Sequence, residues 1–281
     1  MSHWCILADD FLKVNEMLFR VIIYCLGAYG ILIILAYLLQ RHMLYYPDTE
    51  YPPTEELKEI GVELWPQGEA PYKGLISAPS DSKGLVIVFH GNAGAAWHRA
   101  YYVDALVPLG YRVLLAEYPG YGGRKGSLGE DSFVRDAKQL VREAWQEFGA
   151  PIFLWGESLG CGVAAAVARD GDIPINGVVM LTPWDSLTNL AQKMYWFLPV
   201  GILLRDKYDN RKNLQVFKGP VAVVVAEKDE IVPKKFGLSL YESIPGKKRL
   251  WIFPHSGHND WPASPKEKWW KEVMDFLAQE G

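Results

Sequence analysis

The sequence predicts an open, mostly parallel α/β sheet with helices on both faces, preceded by one apolar helix. Short runs rich in Val, Ile and Leu recur along most of the chain, and their near-continuous apolar character means burial on both faces, as parallel strands under crossover helices require. Between those runs lie segments with apolar residues at helical spacing, so strand and helix alternate. With 281 residues, 49% of them hydrophobic, the chain can bury one sizeable core and carry an appendage as well.

The appendage comes first. "VIIYCLGAYGILIILAYLL", Val21 to Leu39, runs 19 residues without a charge. At about 1.5 Å per helical residue it matches a hydrocarbon core of roughly 30 Å. A cleaved signal peptide fits less well, because the apolar run is too long and "LLQRHMLYYP" offers no small-x-small cleavage site. A core helix apolar on every face would need a core wrapped around it. The reading is therefore a single-pass N-terminal membrane anchor, residues 1–40, with Tyr45 and Tyr46 expected in an interfacial aromatic belt. Lys13 and Arg20 lie on one side of the span, Arg41 and Lys58 on the other, a balance that leans to a cytoplasmic N-terminus. "YYPDTEYPPTEE" then reads as a juxtamembrane linker, residues 41–58, rather than a helix or strand.

Residues 59–281 form the main domain. From "GVELW" onward the strand candidates are Gly84–His90, Tyr111–Tyr118, Pro151–Gly156, Gly177–Pro183, Pro220–Glu227 and Arg249–Pro254. "DSFVRDAKQLVREAWQEF" and "AAAVARD" are helix candidates, and "SPKEKWWKEVMDFLAQE" is expected to open with Ser264 capping and Pro265 in the first turn. An insertion at 187–213 interrupts the alternation between the fourth and fifth of these strands. Its apolar middle, Met194 to Leu204, is expected to be broken by Pro199 and Gly201 into two short helices. Met194, Trp196 and Phe197 are candidates for lining an acyl-chain pocket as part of a lid, against the alternative that they pack a satellite core.

Composition narrows the function. The net charge of -4 and a pI near 5.9 give no basic footprint for nucleic acid. Cys5, Cys25 and Cys161 are too few and scattered for a disulfide framework, a CxxC pair or a thiolate metal site. Neither glycine-rich loop, "HGNAGAA" or "YPGYGG", carries a GxxxxGK[ST] or GxGxxG pattern. No metal or organic cofactor is called for.

The chemistry concentrates on "LWGESLGCG". It follows the strand candidate "PIFLWG" and precedes the small-residue stretch "CGVAAAVA", the strand-turn-helix setting that gives G-x-S-x-G a mechanism. Gly156 and Gly160 spare a sharp turn from collisions, and Ser158 is pushed out at the strand's C-terminal end, where a helix N-terminus favours negative charge. A serine nucleophile needs a base, and the base an orienting acid. On such a sheet they follow in the order Ser, acid, His. Asp229 falls two residues beyond "PVAVVVAE", and His258 just after "RLWIFP". Glu227, Glu230 and Asp185 compete for the acid, and His255 for the base. Asp229 is preferred by position, and His258 because "SGH" supplies a turn that can bring the ring back over Ser158. Main-chain N–H groups of Asn92 and Leu159 are expected to form the oxyanion hole. His90 is read as orienting that loop; Trp155 and Glu157 as packing around the serine turn.

"HGNAG", "YPGYGGRKGS", "GESLG", "TPWDSL", "EKDEIVP" and "HSGHND", in this order, make the chain resemble the membrane-anchored branch of the α/β-hydrolase superfamily, which includes lysophospholipases, monoacylglycerol lipases and protein depalmitoylases. The likeness covers roughly residues 40 to 280 and takes in "RHMLYYP" after the anchor. Carried over by position, it implies Ser158 as nucleophile, Asp229 as acid, His258 as base, and Asn92 with Leu159 as oxyanion donors. The insertion is short beside the cap of many relatives. The expected activity is cleavage of an acyl ester or thioester, of a lipid-like molecule or an acylated protein, through an acyl-enzyme. The competing readings are a serine peptidase and a non-catalytic membrane scaffold that keeps the fold.

Overall fold

A computed structural model describes residues 2–68, 71–78, 82–149 and 151–279. In chain order the elements are α1 (Ser2–Leu44), β1 (Tyr46–Pro47), α2 (Thr54–Glu59), β2 (Val62–Trp65), β3 (Gly74–Ser77), β4 (Leu85–Phe89), β5 (Ala93–Gly94), α3 (Tyr101–Leu106), β6 (Arg112–Ala116) and α4 (Glu130–Phe148). They continue with β7 (Ile152–Glu157), α5 (Leu159–Asp170), β8 (Ile175–Leu181), α6 (Leu187–Met194), α7 (Val200–Leu203), α8 (Asn210–Leu214), β9 (Val221–Ala226), α9 (Lys234–Ser243), β10 (Lys248–Phe253) and α10 (Lys268–Ala278).

Eight strands form one sheet in the order β10-β9-β8-β7-β4-β6-β3-β2. The six expected strands are all present and pair in parallel, while β2 and β3 add an antiparallel edge. The parallel strands β4 and β9 are buried along their whole length, as their unbroken apolar runs require. One face is covered by α4, α5 and α9 and the other by α3 and α10, with a separate apolar core on each side. Helix α4 shows how sequence pattern becomes packing. Phe133, Ala137, Leu140, Val141 and Ala144 recur at helical spacing and are its buried face, with Glu130 and Asp131 in the first turn, where they favour the positive end of the dipole.

The connection from β4 leads to β6 on one side, and that from β7 leads to β8 on the other. The strand order therefore reverses between β4 and β7. In open α/β sheets the crevice outside the carboxyl ends of the strands at such a point is where ligands bind. Ser158 follows β7 and Asn92 follows β4, so the topology alone places both at that crevice.

Four local expectations are corrected. Segment 41–58 is not an irregular linker: α1 continues to Leu44, β1 pairs in parallel with β5, and α2 follows. Tyr46 is 55% exposed, but Tyr45 is 3% exposed, shares a hydrogen bond with Tyr208 Oη at 3.1 Å and packs edge-on to Phe133. A side chain built into the core cannot belong to an interfacial belt. The last helix begins at Lys268 rather than Ser264, because the Ser264 carbonyl accepts both Glu267 N–H and Trp270 Nε1–H in a preceding turn. In the insertion, Pro199 does end one segment and cap α7, but Gly201 sits inside that helix rather than breaking it.

Residues 187–208 make an excursion closed at its base by a bridge between Ser186 and Asp209. Both bridge residues also cap helices: Ser186 Oγ accepts from Asn189 N–H, and Asp209 Oδ1 from Lys212 N–H. Leu187, Leu190 and Ala191 anchor α6 in the domain. The stretch Asn15–Leu44 of α1 has a mean hydropathy of 2.4 over its best window and none of that window is buried, so it is long and apolar enough to cross a bilayer.

Candidate active site

Ser158 stands between β7 and α5 with φ 51° and ψ -110°. A non-glycine residue there is strained by about 1–3 kcal/mol and persists only where its surroundings over-determine it. They do: Ser158 N–H donates to Leu181 O at 2.9 Å, and its own carbonyl accepts from Cys161 N–H at 3.0 Å. The flanking glycines make room. A Cβ on Gly156 would lie 2.5 Å from Cys161 Cα, and one on Gly160 would overlap the carbonyl of Phe89 at the end of β4. Both glycines are thus demanded by close approach of backbone to backbone.

His258 and Asp229 converge on this turn. His258 Nε2 is 2.9 Å from Ser158 Oγ, and His258 Nδ1 is 2.7 Å from Asp229 Oδ2. All three residues are 7% exposed. Asp229 Oδ1 accepts from the backbone N–H groups of Ile231 at 3.0 Å and Val232 at 2.6 Å, which leaves Oδ2 for the imidazole. The loop carrying His258 is tied to the one carrying Asp229, since Lys228 N–H donates to Ser256 O at 2.8 Å. Asp185, Glu227 and His255 are engaged otherwise, and Glu230 lies beside Gly257 without a hydrogen bond to the imidazole. Asp185 accepts from Ser186 N–H, Asn189 Nδ2–H and Ser239 Oγ–H; Glu227 is held by His255 N–H and Lys234; His255 itself is exposed.

The proposed oxyanion donors sit beside the serine. Asn92, Leu159 and Ser158 line one cavity of about 510 Å³, and neither the Asn92 nor the Leu159 N–H donates to an acceptor among the described residues. Leu159 opens α5, so its amide precedes every intrahelical acceptor. The loop after β4 is held on its buried side: His90 bridges Gly91 O at 2.7 Å and Glu117 Oε1 at 3.0 Å, Tyr118 Oη–H donates to His90 O, and Tyr121 Oη–H donates to Asn92 O at 2.7 Å. This is the work of the "YPGYGG" segment.

Glu157 does more than pack. Its Oε1 accepts from Arg99 at 3.0 Å, and its Oε2 accepts from Tyr101 and Tyr102 hydroxyls at 3.1 Å each. Burial opposes its ionisation, but the Arg99 charge with the hydrogen bonds from Arg99 and Tyr101 outweighs it and holds the carboxyl below the ordinary value. Trp155 is buried against Trp269 and Trp270, as expected of a packing residue. Burial also pushes the Cys161 thiol up; its Sγ lies against Gly156 O and Leu181 O and is no rival nucleophile. Among the described residues no group of three His, Cys, Asp or Glu side chains could hold a metal ion.

The rest of the cavity is mostly apolar, with Gln40, Arg99, Glu157, Asp206 and Asn259 as its polar points, and much of its wall comes from two sources. Leu187, Leu190, Met194, Tyr195 and Leu198 belong to the insertion, whereas Ala36, Gln40, Met43 and Leu44 belong to α1. Of the three insertion residues expected at the pocket, Met194 lines it. Trp196 and Phe197 do not: they are 78% and 45% exposed and lie outside the lining. No local signal separates them, because which face of a broken apolar stretch turns inward depends on α1, more than 150 residues earlier.

A chain with a serine on a strained turn after a parallel strand, a histidine and an aspartate in line behind it, and this strand order has close structural counterparts. A Pyrococcus furiosus esterase superposes with a TM-score of 0.64 at 18% identity, covering 83% of this chain and 96% of that one. A Paleococcus ferrophilus monoacylglycerol lipase superposes at 0.55 and 22%, covering 70% and 95%. The family model described as serine aminopeptidase, S33, matches residues 80–202. In sequence, an uncharacterized Mycobacterium tuberculosis protein is 31% identical over 231 residues, which is 79% of this chain and 81% of that protein. The chain is an α/β-hydrolase. Its serine, histidine and aspartate stand in the geometry of a serine hydrolase. This α/β-hydrolase is also 30% identical over 188 residues to the lysophosphatidylserine lipase ABHD12 of Danio rerio, covering 60% of its own length and 49% of that protein, so it spans about half of that relative.

Proposed function

We propose that this α/β-hydrolase is a single-pass membrane enzyme that cleaves the acyl ester of single-chain lipids, of the lysophospholipid or monoacylglycerol class. The observation that carries the reading is the shared wall of the cavity: an apolar chamber beside Ser158 is built jointly by the insertion and by the candidate membrane helix. Its volume of about 510 Å³ lies within the roughly 300–1,000 Å³ of ligand pockets. The names of two relatives, a lysophosphatidylserine lipase and a monoacylglycerol lipase, support the same substrate class.

In this reading His258 removes the Ser158 proton as Oγ attacks the ester carbonyl, and Asp229 holds the imidazole with its Nδ1 proton inward. The Asn92 and Leu159 amides receive the negative oxygen of the tetrahedral intermediate. His258 then protonates the departing alcohol, and water repeats the sequence to release the fatty acid. The acyl chain occupies the chamber between α6, α7 and α1. The contacts between α1 and the insertion run from Tyr29, whose hydroxyl donates to Phe197 O at 2.6 Å, to Gln40, which exchanges hydrogen bonds with Leu203 O and Arg205 N–H. The exposed Trp196, Phe197 and Ile202 therefore stand beside the apolar span and face the hydrocarbon, so lipid passes from the leaflet to Ser158 without crossing water. We place the N-terminal tail on the cytoplasmic side, with Lys13 and Arg20 flanking the span there and Arg41 on the other side taken up by Asp206. The domain boundary then lies near Arg41, since residues 41–58 pack into the hydrolase.

The test is hydrolysis of lysophospholipid and monoacylglycerol in vesicles by the full chain, with Ser158→Ala and fluorophosphonate labelling as the check on the nucleophile. An acyl thioester cleaved faster than either ester would move the substrate class to acylated proteins. Full activity in Ser158→Ala would remove the reading altogether.

A further inference from the structure

One conspicuous motif plays no part in the mechanism above: "RHMLYYP", residues 41–47. It lies where a passive tether would need nothing but length, yet Arg41, Leu44, Tyr45 and the Tyr46 backbone all bond to the catalytic domain. Arg41 makes a two-pronged pair with Asp206 at 2.9 and 2.8 Å, and Asp206, only 3% exposed, also caps α4 by accepting from Glu130 N–H at 3.0 Å. Tyr45 is buried against Tyr208 and Phe133.

The remaining bonds converge on one residue. Leu44 O, left over at the C-terminus of α1, accepts from the Asn92 side-chain amide at 2.7 Å. Tyr46 N–H donates to Asn92 O at 2.9 Å, and two residues on Asp48 N–H donates to Gly94 O at 2.9 Å, so that β1 and β5 form a parallel pair. Asp48 O in turn accepts from Gly122 N–H at 2.7 Å, which joins this segment to the "YPGYGG" loop. Asn92 is thus gripped at its side chain and its carbonyl, and its N–H alone is left without an acceptor among the described residues.

We propose that residues 41–48 form a positioning element for the oxyanion site: the end of the membrane helix holds the loop after β4 so that the Asn92 amide is fixed toward Ser158. The physical reason is preorganisation. A hydrogen-bond donor stabilises a developing oxyanion fully only when it need not reorient as charge appears. A loop of small residues, "GNAGAA", cannot supply that rigidity from its own side chains. It borrows rigidity from a 43-residue helix on one side and from Tyr118 and Tyr121 on the other. The role of Asn92 is then double, with the backbone N–H for the substrate and the side chain for the anchor. This inference rests on the assignment of Asn92 as an oxyanion donor.

The experiment uses the full chain in detergent and a short, water-soluble ester, so that membrane delivery does not enter. Asn92→Ala keeps the backbone N–H and removes the grip on Leu44. It is expected to lower kcat about 10- to 100-fold with KM within about twofold, less than the roughly 10²–10³-fold that follows outright loss of an oxyanion donor. A boronic acid, whose adduct with serine places an oxygen in the same site, is expected to weaken in parallel. Arg41→Gln, at a residue that does not line the cavity, should produce a smaller loss of the same kind, and combining it with Asn92→Ala should add little, because both loosen one clamp. Should Asn92→Ala fail to fold, Asn92→Asp, equal in shape but without the donor, is measured in its place. A folded Asn92 variant with unchanged kcat and boronate affinity overturns the proposal while leaving Ser158 as nucleophile. So does a loss carried by KM alone. If Ser158→Ala hydrolyses the ester normally, it is the underlying assignment of the site that fails.

Discussion

Asp229→Asn is the sharpest test of the catalytic assignment, because the surroundings dictate how an asparagine must sit. In the native site Oδ1 accepts two backbone amides, Ile231 N–H and Val232 N–H, and Oδ2 faces His258 Nδ1 at 2.7 Å. An asparagine has one oxygen, and the two amides claim it. Its NH₂ group is then forced toward His258, whose Nδ1 must become the acceptor, so the ring proton moves to Nε2, the nitrogen 2.9 Å from Ser158 Oγ. That tautomer cannot take the serine proton. The expected fall in kcat is about 10³- to 10⁴-fold, or about 4–5.5 kcal/mol at 1.36 kcal/mol per decade. The shape of the site is kept, so the thermal midpoint should move by only a few degrees. The assay is hydrolysis of a short p-nitrophenyl ester by the full chain, with Ser158→Ala as background and a thermal melt alongside. Asp185→Asn is the comparison, since its carboxylate serves Ser186, Asn189 and Ser239 and should leave kcat within about twofold of wild type. An Asp229→Asn enzyme that is folded and retains more than about a tenth of wild-type kcat would refute the reasoning.

Further outcomes follow from other parts of the molecule. Gly160→Ala should abolish activity and lower expression, because its Cβ would overlap Phe89 O and displace the strand end that leads to the oxyanion loop; a normally active alanine variant would show that the turn is looser than its contacts imply. Glu157→Gln should destabilise the domain at neutral pH by about 2–4 kcal/mol, at the lower side of values for a broken buried pair because Arg99 and Glu157 side chains are 17% and 13% exposed. The Glu157 carboxyl is held below its ordinary 4.5 in the fold, so its contribution is complete above that value and disappears as pH falls through the lower folded one. Urea midpoints of wild type and variant should therefore converge on acidification below about pH 4.5, and a constant gap would contradict the linkage. Trp196→Ser with Phe197→Ser should slow hydrolysis of long-chain substrate in vesicles at least about fivefold while leaving a soluble short ester unaffected, because both rings lie outside the cavity; equal losses on both would instead favour the satellite-core reading, in which the rings stabilise the fold and meet no lipid.

Legibility from sequence followed the range of the forces involved. The central strands are buried on both faces, so their composition announces them, and the G-x-S-x-G turn carries its own steric signature in Gly156 and Gly160. Chain order then singled out Asp229 and His258, and the hydrogen bonds to the imidazole separate them from Asp185, Glu227 and His255. What escaped depends on distant partners. Segment 41–58 reads as a linker because β1 is two residues long and exists only through pairing with β5. Tyr45 looks interfacial because its partner Tyr208 is 163 residues away. Glu157 reads as packing because Arg99, Tyr101 and Tyr102 reach it from a segment more than 50 residues earlier. Within "MYWFLP" hydrophobicity is uniform, and only docking against α1 divides Met194 from Trp196 and Phe197.

Between Leu44, the last residue of α1, and Tyr46, the first of β1, there is a single residue, and it is buried. A hydrolase on a floppy stalk would sweep a hemisphere and sample solute from bulk solution. Here Tyr45, the Arg41–Asp206 pair and the β1–β5 pairing hold the domain against the end of α1, so in the proposed membrane setting the angle of its cavity to that helix is set by packing. Under the proposed function, encounter with substrate then becomes a planar problem, governed by how many target lipids occupy each patch of the surrounding leaflet rather than by their molarity. Turnover should scale with the mole fraction of substrate in the membrane and stay flat when vesicles of constant composition are added in excess.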